Sequence, residues 1–293
     1  MADTIRSGFV AIVGRPNVGK STFLNTVLGT KISITASKPQ TTRDRILGIW
    51  NSEDAQIVFL DIPGIHASDK ALNRYMMEKA LSVISDADIA LVMIDPADTV
   101  QTLSDVVLSL RESGKDAVLV LNKADLMSPE QAGEKLDALR GVYPFKCSAA
   151  VSSLTGRGMI EVLDCLKEAL PEGPRFFPED MITDVPVRFL CQELIREKVF
   201  TLTKREIPYA TAVEVEEFRE GEPTYIRAVI HVERPSQKAI VIGAGGRMLR
   251  EIGKEARIDI QRLLGTRVFL ELFVKVTKDW SKKPRSLKEL GYK

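Results

Sequence analysis

The chain has 293 residues, 44% of them hydrophobic, and a formal net charge of +1, which is room for two domains with proper cores. It shows no apolar leader and no apolar run long enough to span a bilayer, so a cytoplasmic, unsecreted protein is expected. Three widely spaced cysteines (147, 165 and 191) predict reduced thiols, and with His66 and His231 the only histidines, a histidine metal site or catalytic triad is not expected.

An apolar run at 8–13 leads into Gly14-Arg15-Pro16-Asn17-Val18-Gly19-Lys20-Ser21, the G-x-x-x-x-G-K-[ST] pattern, and a helix-forming stretch at 20–28 follows. In that setting backbone N–H groups, with Thr22 one step further on, curl around phosphates. The helix N-terminus adds its positive dipole end. Lys20 would reach the outer phosphates and Ser21 would bind Mg²⁺. The motif predicts a nucleoside triphosphate site.

Residues 30–44 are polar and aperiodic, and within them lies Pro39-Gln40-Thr41-Thr42-Arg43-Asp44. A threonine here, Thr42 in preference to Thr41, would complete the Mg²⁺ shell only with a γ-phosphate present, making the segment a switch. Strands at 46–50 and 56–61 flank Asn51-Ser52-Glu53-Asp54 and predict a hairpin. The second ends in Asp61-Ile62-Pro63-Gly64, where Asp61 would hold Mg²⁺ through water and the Gly64 N–H would reach the γ-phosphate. Lys20, Thr42 and Gly64 are the catalytic candidates.

Strand-helix alternation continues, with helices near 71–84, 99–113, 129–140 and 158–170 and strands near 88–94, 116–121 and 143–147. It predicts an α/β domain with a mostly parallel sheet and ligands at the strand C-terminal ends. The strand at 116–121 runs into Asn122-Lys123-Ala124-Asp125. A carboxylate at Asp125 pairs with the N1–H and N2–H₂ of guanine, and adenine would leave it buried and unpaired. A further segment should touch guanine through a backbone N–H. Ser148-Ala149-Ala150 and Ser152-Ser153-Leu154 both remain open, the second preferred for its apolar Val151 before and Thr155-Gly156 after.

Residues 173–184 read as a proline-containing linker between a nucleotide domain at 1–172 and a smaller α+β domain at 185–278. From residue 185 onward the chain carries 22 basic against 15 acidic residues, and before it 19 against 25. A basic second half joined to an acidic first half points to a polyanion partner. It opens with an amphipathic helix at 187–199, then strands at 210–218 and 224–233. A strand or turn at 238–242 enters Gly243-Ala244-Gly245-Gly246. In the helix that follows, Met248, Ile252, Ala256, Ile260 and Leu264 form a core stripe, and Arg247, Arg250, Lys254 and Arg257 share a separate face. A strand at 268–276 closes the domain, and 279–293 is a basic tail. A G-x-x-G loop before a cationic helix suits clamping of about four nucleotides of single-stranded RNA.

Taken together, GRPNVGKS, PQTTRD, DIPG and NKAD, with ELIREK (193–198) and VIGAGGRMLREIGKEAR (241–257), resemble the Era family of bacterial GTPases over nearly the whole chain. The resemblance implies a Ras-like GTPase domain joined to a type II KH domain, with GTP/GDP and Mg²⁺ as ligands. It also implies binding near the 3′ end of 16S rRNA on a precursor of the 30S subunit during its assembly. A monomer is expected, and peripheral association of the basic tail with a membrane is left open. Ala244 replaces the lysine usual in the family loop, and Phe273 stands where tryptophan is common. Ras-type enzymes orient water with a glutamine after the D-x-x-G glycine. Ile65 occupies that position here, so slow hydrolysis is expected, and Asn17 resembles the K⁺-coordinating residue of potassium-activated relatives. The alternative reading is an RNA-binding assembly chaperone whose nucleotide only tunes conformation.

Overall fold

A computed structural model describes residues 4–35, 45–62, 83–204 and 206–290; among these, 4–33, 45–62 and 83–184 form one compact unit and 34–35, 185–204 and 206–290 a second. In the first, β1 (Ile5–Val13), β2 (Ile46–Asn51), β3 (Ala55–Asp61), β4 (Ile89–Ile94), β5 (Asp116–Leu121), β6 (Ser148–Ala150) and β7 (Glu172–Gly173) form one sheet. Its order is β2-β3-β1-β4-β5-β6, with β7 paired to β1. The β2–β3 hairpin is antiparallel as expected, and β1, β3, β4, β5 and β6 run parallel. Strands buried on both faces need unbroken apolar runs, and β4 (IALVMI) is buried throughout. Helices α1 (Lys20–Leu28), α2 (Ser104–Ser113), α3 (Pro129–Arg140) and α4 (Met159–Ala169) supply the cover. Pro129 at the start of α3 and a reciprocal Ser128–Gln131 capping box fix where that helix begins. Of the helix expected at 71–84, only residues 83 and 84 are described, and both are helical.

Three expectations in this unit shift. The strand expected at 143–147 begins instead at Ser148; residues 141–144 form a turn in which Tyr143 packs against Phe145 at 5.5 Å. The stretch read as a linker is strapped to the hairpin. Gln56 Oε1 accepts from the N–H groups of Phe176 and Phe177, Arg175 donates to the carbonyl of Ser52, and Ile49 N–H donates to the carbonyl of Ile182. Finally, Cys147 and Cys165, expected as widely separated thiols, are brought side by side. Cys147 precedes β6, and α4 packs back along that strand, bringing the two Cα atoms to 6.4 Å, within reach of a bridge. Eighteen residues of separation hid this from the sequence.

The second unit contains α5 (Val187–Leu202), β8 (Thr211–Arg219), β9 (Thr224–Val232), α6 (Pro235–Ile242), α7 (Arg247–Leu264) and β10 (Val268–Val276). Its sheet runs β10-β9-β8, with β9 antiparallel to β8 and parallel to β10. Residues 238–242 are helical, which corrects the strand or turn expected there. Pro235 at the first helical position and Gln237 Oε1, which accepts from the Arg234 N–H at 2.9 Å, start a helix that the β-branched residues then follow. The core stripe of α7 is as expected: Ile252, Ala256 and Ile260 are fully buried, with Met248 and Leu264 packed beside them. Helix α5 buries a bidentate Arg196–Glu193 pair at 2.6 and 2.7 Å, and Lys198 reaches Asp259 of α7 at 2.6 Å. Of the ELIREK charges, Lys198 therefore ties two helices together, while Glu193 and Arg196 pair within one. Residues 280–290 are anchored as well. Trp280 is fully buried and donates from Nε1 to the carbonyl of Ala210 at 3.0 Å, ahead of α8 (Pro284–Glu289). Among the described residues no helix is long and apolar enough to cross a membrane.

Candidate nucleotide site and RNA groove

The phosphate-loop residues follow β1 and open α1, so their N–H groups gather at the C-terminal edge of the sheet. Gly19 has φ 104°, and an added Cβ would collide with Asn122 Nδ2, so only glycine fits where the two loops close on each other. Lys20 is 7% exposed and donates to the carbonyls of Gly14 and Arg15, each at 3.0 Å. Burial lowers its pKa to about 8, against an opposing pull from Asp61. Asn17 sits exposed at the lip with φ 67°. Pro16 and Thr22 are half-buried and Val18 is buried.

Asp61 ends β3, fully buried, and its Oδ2 accepts from the hydroxyls of Ser21 and Ser33, each at 2.7 Å. A carboxylate and hydroxyls converging from two segments make an all-oxygen donor set, the chemistry a hard divalent cation prefers. No motif in the sequence marks Ser33. It is held by Asn25, whose Oδ1 accepts from the Ile32 and Ser33 N–H groups at 3.0 Å each. Ile62 is buried beside this cluster. Thr41, Thr42, Pro63, Gly64, Ile65 and His66 lie outside the described residues.

The base-reading segments converge on the same edge. Asn122, 2% exposed, donates from Nδ2 to the carbonyl of Val18 at 2.8 Å and accepts on Oδ1 from the N–H and Oγ of Ser153 at 2.9 and 2.8 Å. Thr26 of α1 donates to the carbonyl of Ser153 at 2.7 Å. Lys123, in a left-handed conformation, pairs with Asp95 at 2.7 Å, and Asp125 is exposed in the turn that follows. Ser148 to Ala150 are strand residues paired with β5, whereas Ser152 and Ser153 are buried in the loop beyond, with Leu154 exposed at its tip. This arrangement can hold a polyphosphate at one end and a purine at the other.

In the second unit the Gly243–Gly246 segment links α6 to α7. A Cβ on Gly243, at φ 72°, would press within 2.7 Å of Met248. Ala244 and Gly245 face solvent, and Gly246 ends the loop in a left-handed turn. Arg250 folds back to the carbonyl of Gly245 at 2.7 Å. A groove of about 650 Å³ runs between α7 and β10, lined by Gly246, Arg250, Glu251, Lys254 and Arg257 with Leu249 and Leu272 among its apolar residues. Arg247 is exposed just outside that lining, bonded to the carbonyl of Ala244 at 3.3 Å. Phe273 is no core residue: it is 45% exposed, with the Arg227 guanidinium 4.7 Å above its ring.

A nucleotide-cradling parallel sheet followed by a G-x-x-G unit defines a P-loop GTPase carrying a KH domain. Two protein-family descriptions agree: a 50S ribosome-binding GTPase matches residues 9–123 and a KH domain matches residues 206–281. GTPase Era of Geobacter metallireducens is 51% identical over 98% of both chains. GTPase Era of Syntrophus aciditrophicus is 49% identical over 98% of this chain and 95% of its own. A solved structure of Era in complex with MgGDPNP and nucleotides 1506–1542 of 16S ribosomal RNA superposes with a TM-score of 0.94, at 39% identity over 98% of this chain and 99% of that one. A crystal structure of a point variant of Aquifex aeolicus Era bound to GDP.AlF4⁻ matches equally well. The chain belongs to the Era family of GTPases.

Proposed function

We propose that this GTPase is a switch that binds GTP and GDP with Mg²⁺, docks single-stranded RNA near the 3′ end of 16S rRNA, and assists assembly of the 30S subunit in the cytoplasm as a monomer. The observation that carries the RNA half is the α7–β10 groove, where three cations outnumber the one acid, Glu251, in a channel of mixed polar and apolar wall beside a glycine loop open to solvent. Such a groove suits a backbone of phosphates with bases stacked against its walls. A relative solved with MgGDPNP and a 16S fragment supports both ligands.

At the nucleotide, we assign the phosphates to the loop of Gly14 to Ser21 with Thr22, and guanine to Asp125, Asn122 and Lys123. A backbone N–H of the Ser152–Leu154 segment completes the base contact. Mg²⁺ would be held by Ser21 and Thr42 directly and by Asp61 through water, neutralising charge between the outer phosphates. Lys20 stabilises charge on the leaving oxygens, and the Gly64 N–H caps the γ-phosphate. Ile65 cannot orient water, so turnover depends on positioning and on help from RNA or a cation. Asn17 at the lip is the K⁺ candidate: exchanging Na⁺ for K⁺ should raise the hydrolysis rate, and Asn17→Ala should erase the difference. Equal rates in the two salts would return Asn17 to a bracing role. The switch reading is tested by hydrolysis rates with and without a 16S 3′-end oligonucleotide. Stimulation supports it. An RNA affinity and a rate indifferent to nucleotide state and to RNA would favour the chaperone alternative.

A further inference from the structure

We infer that Asp98 is a positioning residue for GTP hydrolysis, acting through Arg15 on the phosphate-loop carbonyl that holds Lys20. Asp98 lies in the turn after β4, fully buried. Its Oδ1 accepts from Arg15 Nε and from Thr102 Oγ1, the latter at 2.8 Å, and its Oδ2 accepts from the Asp95 N–H at 2.9 Å. A desolvated carboxylate is tolerable only when paired and hydrogen-bonded, and Arg15 supplies the pairing charge. The attachment is mutual, because Asp98 holds the Arg15 guanidinium in its charged form.

The consequence is at the other end of Arg15. Its backbone carbonyl accepts from Lys20 Nζ at 3.0 Å, so the side-chain anchor and the lysine contact belong to one residue. Asp95 extends the bracket. Its Oδ1 lies 3.7 Å from the Arg15 guanidinium, and its Oδ2 takes Lys123 Nζ at 2.7 Å. One short turn after β4 thus fastens both the phosphate loop and the base loop, from outside every nucleotide motif in the sequence. Preorganised charge accelerates a reaction in proportion to how firmly it is aimed where charge develops. Lys20 is that charge, and Asp98 limits the movement of its backbone support.

This inference rests on the assignment of Lys20 to the outer phosphates. The test is steady-state hydrolysis and GDP titration of the full chain carrying Asp98→Asn, Arg15→Gln, or both. Losing one charge-assisted hydrogen bond should lower kcat about tenfold, while KM and GDP affinity stay within about threefold, because the interaction matters most in the transition state. Coupled residues acting as one device should give a double variant no slower than either single one. The Arg15 side chain is 35% exposed, so Arg15→Gln remains informative if Asp98→Asn fails to fold. Unchanged kcat in Arg15→Gln, or additive losses in the double variant, overturns the inference. Lys20→Ala separates the two failures. If it loses turnover while Arg15→Gln does not, only the role of Asp98 falls; if it keeps turnover, the assignment of Lys20 falls first.

Discussion

Asn122 and Ser153 are joined twice: the Asn122 Oδ1 accepts both the N–H and the hydroxyl of Ser153, at 2.9 and 2.8 Å. The same amide donates to the Val18 carbonyl, so one buried side chain spans three loops from three strands. The loop after β6 and the phosphate loop are therefore set by a common group. Such a satisfied network rigidifies a site before its ligand arrives.

Base choice follows from Asp125. Asp125→Asn replaces an acceptor with an amide that can donate to the C2 carbonyl of xanthine. GTP affinity should fall by orders of magnitude, in line with the cost of unpaired polar groups in such pockets, while xanthosine triphosphate gains. Competition titration with the two nucleotides measures it, and a variant that still prefers GTP contradicts the assignment.

Burial brings Lys20 to a pKa of about 8 in the nucleotide-free protein. Between that value and the unfolded value the unfolded chain holds more protons, so this group makes stability rise with pH across that window. Nucleotide binding goes the other way. Below pH 8 the ammonium is already charged, and above it phosphate must bring a proton in, so affinity should fall as pH rises, approaching about tenfold per unit. GDP titrations from about pH 7 to about pH 9.5 should show that fall in the wild type and not in Lys20→Met. A flat wild-type profile would count against the buried, proton-linked lysine.

A Cys147–Cys165 bridge would close a loop of 18 residues around β6, the loop beyond it and the start of α4. A loop of that size corresponds to about 3 kcal/mol of stabilisation. Oxidised wild type should melt higher than reduced wild type, and Cys147→Ser should show no such difference. Cys191, buried with its thiol pushed up to about 12, should resist alkylation in the native state. Ready alkylation of both Cys147 and Cys165 in unreduced protein would contradict the bridge.

The phosphate loop was legible because its motif is local: a strand, a turn of fixed length and a helix start place Gly14 to Ser21 with no help from elsewhere. Ser33, Asp95 and Asp98 were not legible, since each acts through a partner far along the chain and carries no spacing of its own. The displaced start of β6 has a similar cause. Tyr143 and Phe145 look like strand residues, but they pack on each other in a turn, and the ladder to β5 starts at Ser148. At 238–242 a β-branched run looked extended, yet Pro235 and Gln237 had already committed the chain to a helix. The α7 stripe was readable because five apolar residues at fourfold spacing have one geometric meaning.

The most direct test of a GTPase joined to an RNA clamp is Gly245→Asp. Gly245 has φ 59°, and an added Cβ would meet nothing within 4 Å; aspartate tolerates that backbone, so the variant should fold. It places a negative charge where the phosphate backbone must approach the loop. Filter binding of single-stranded RNA over a salt series, run beside GTP titration, should show RNA binding abolished and GTP affinity intact. In Arg250, Lys254 and Arg257 variants, each lost phosphate contact should flatten the salt slope by about 0.7. Undiminished RNA affinity in Gly245→Asp would contradict the account.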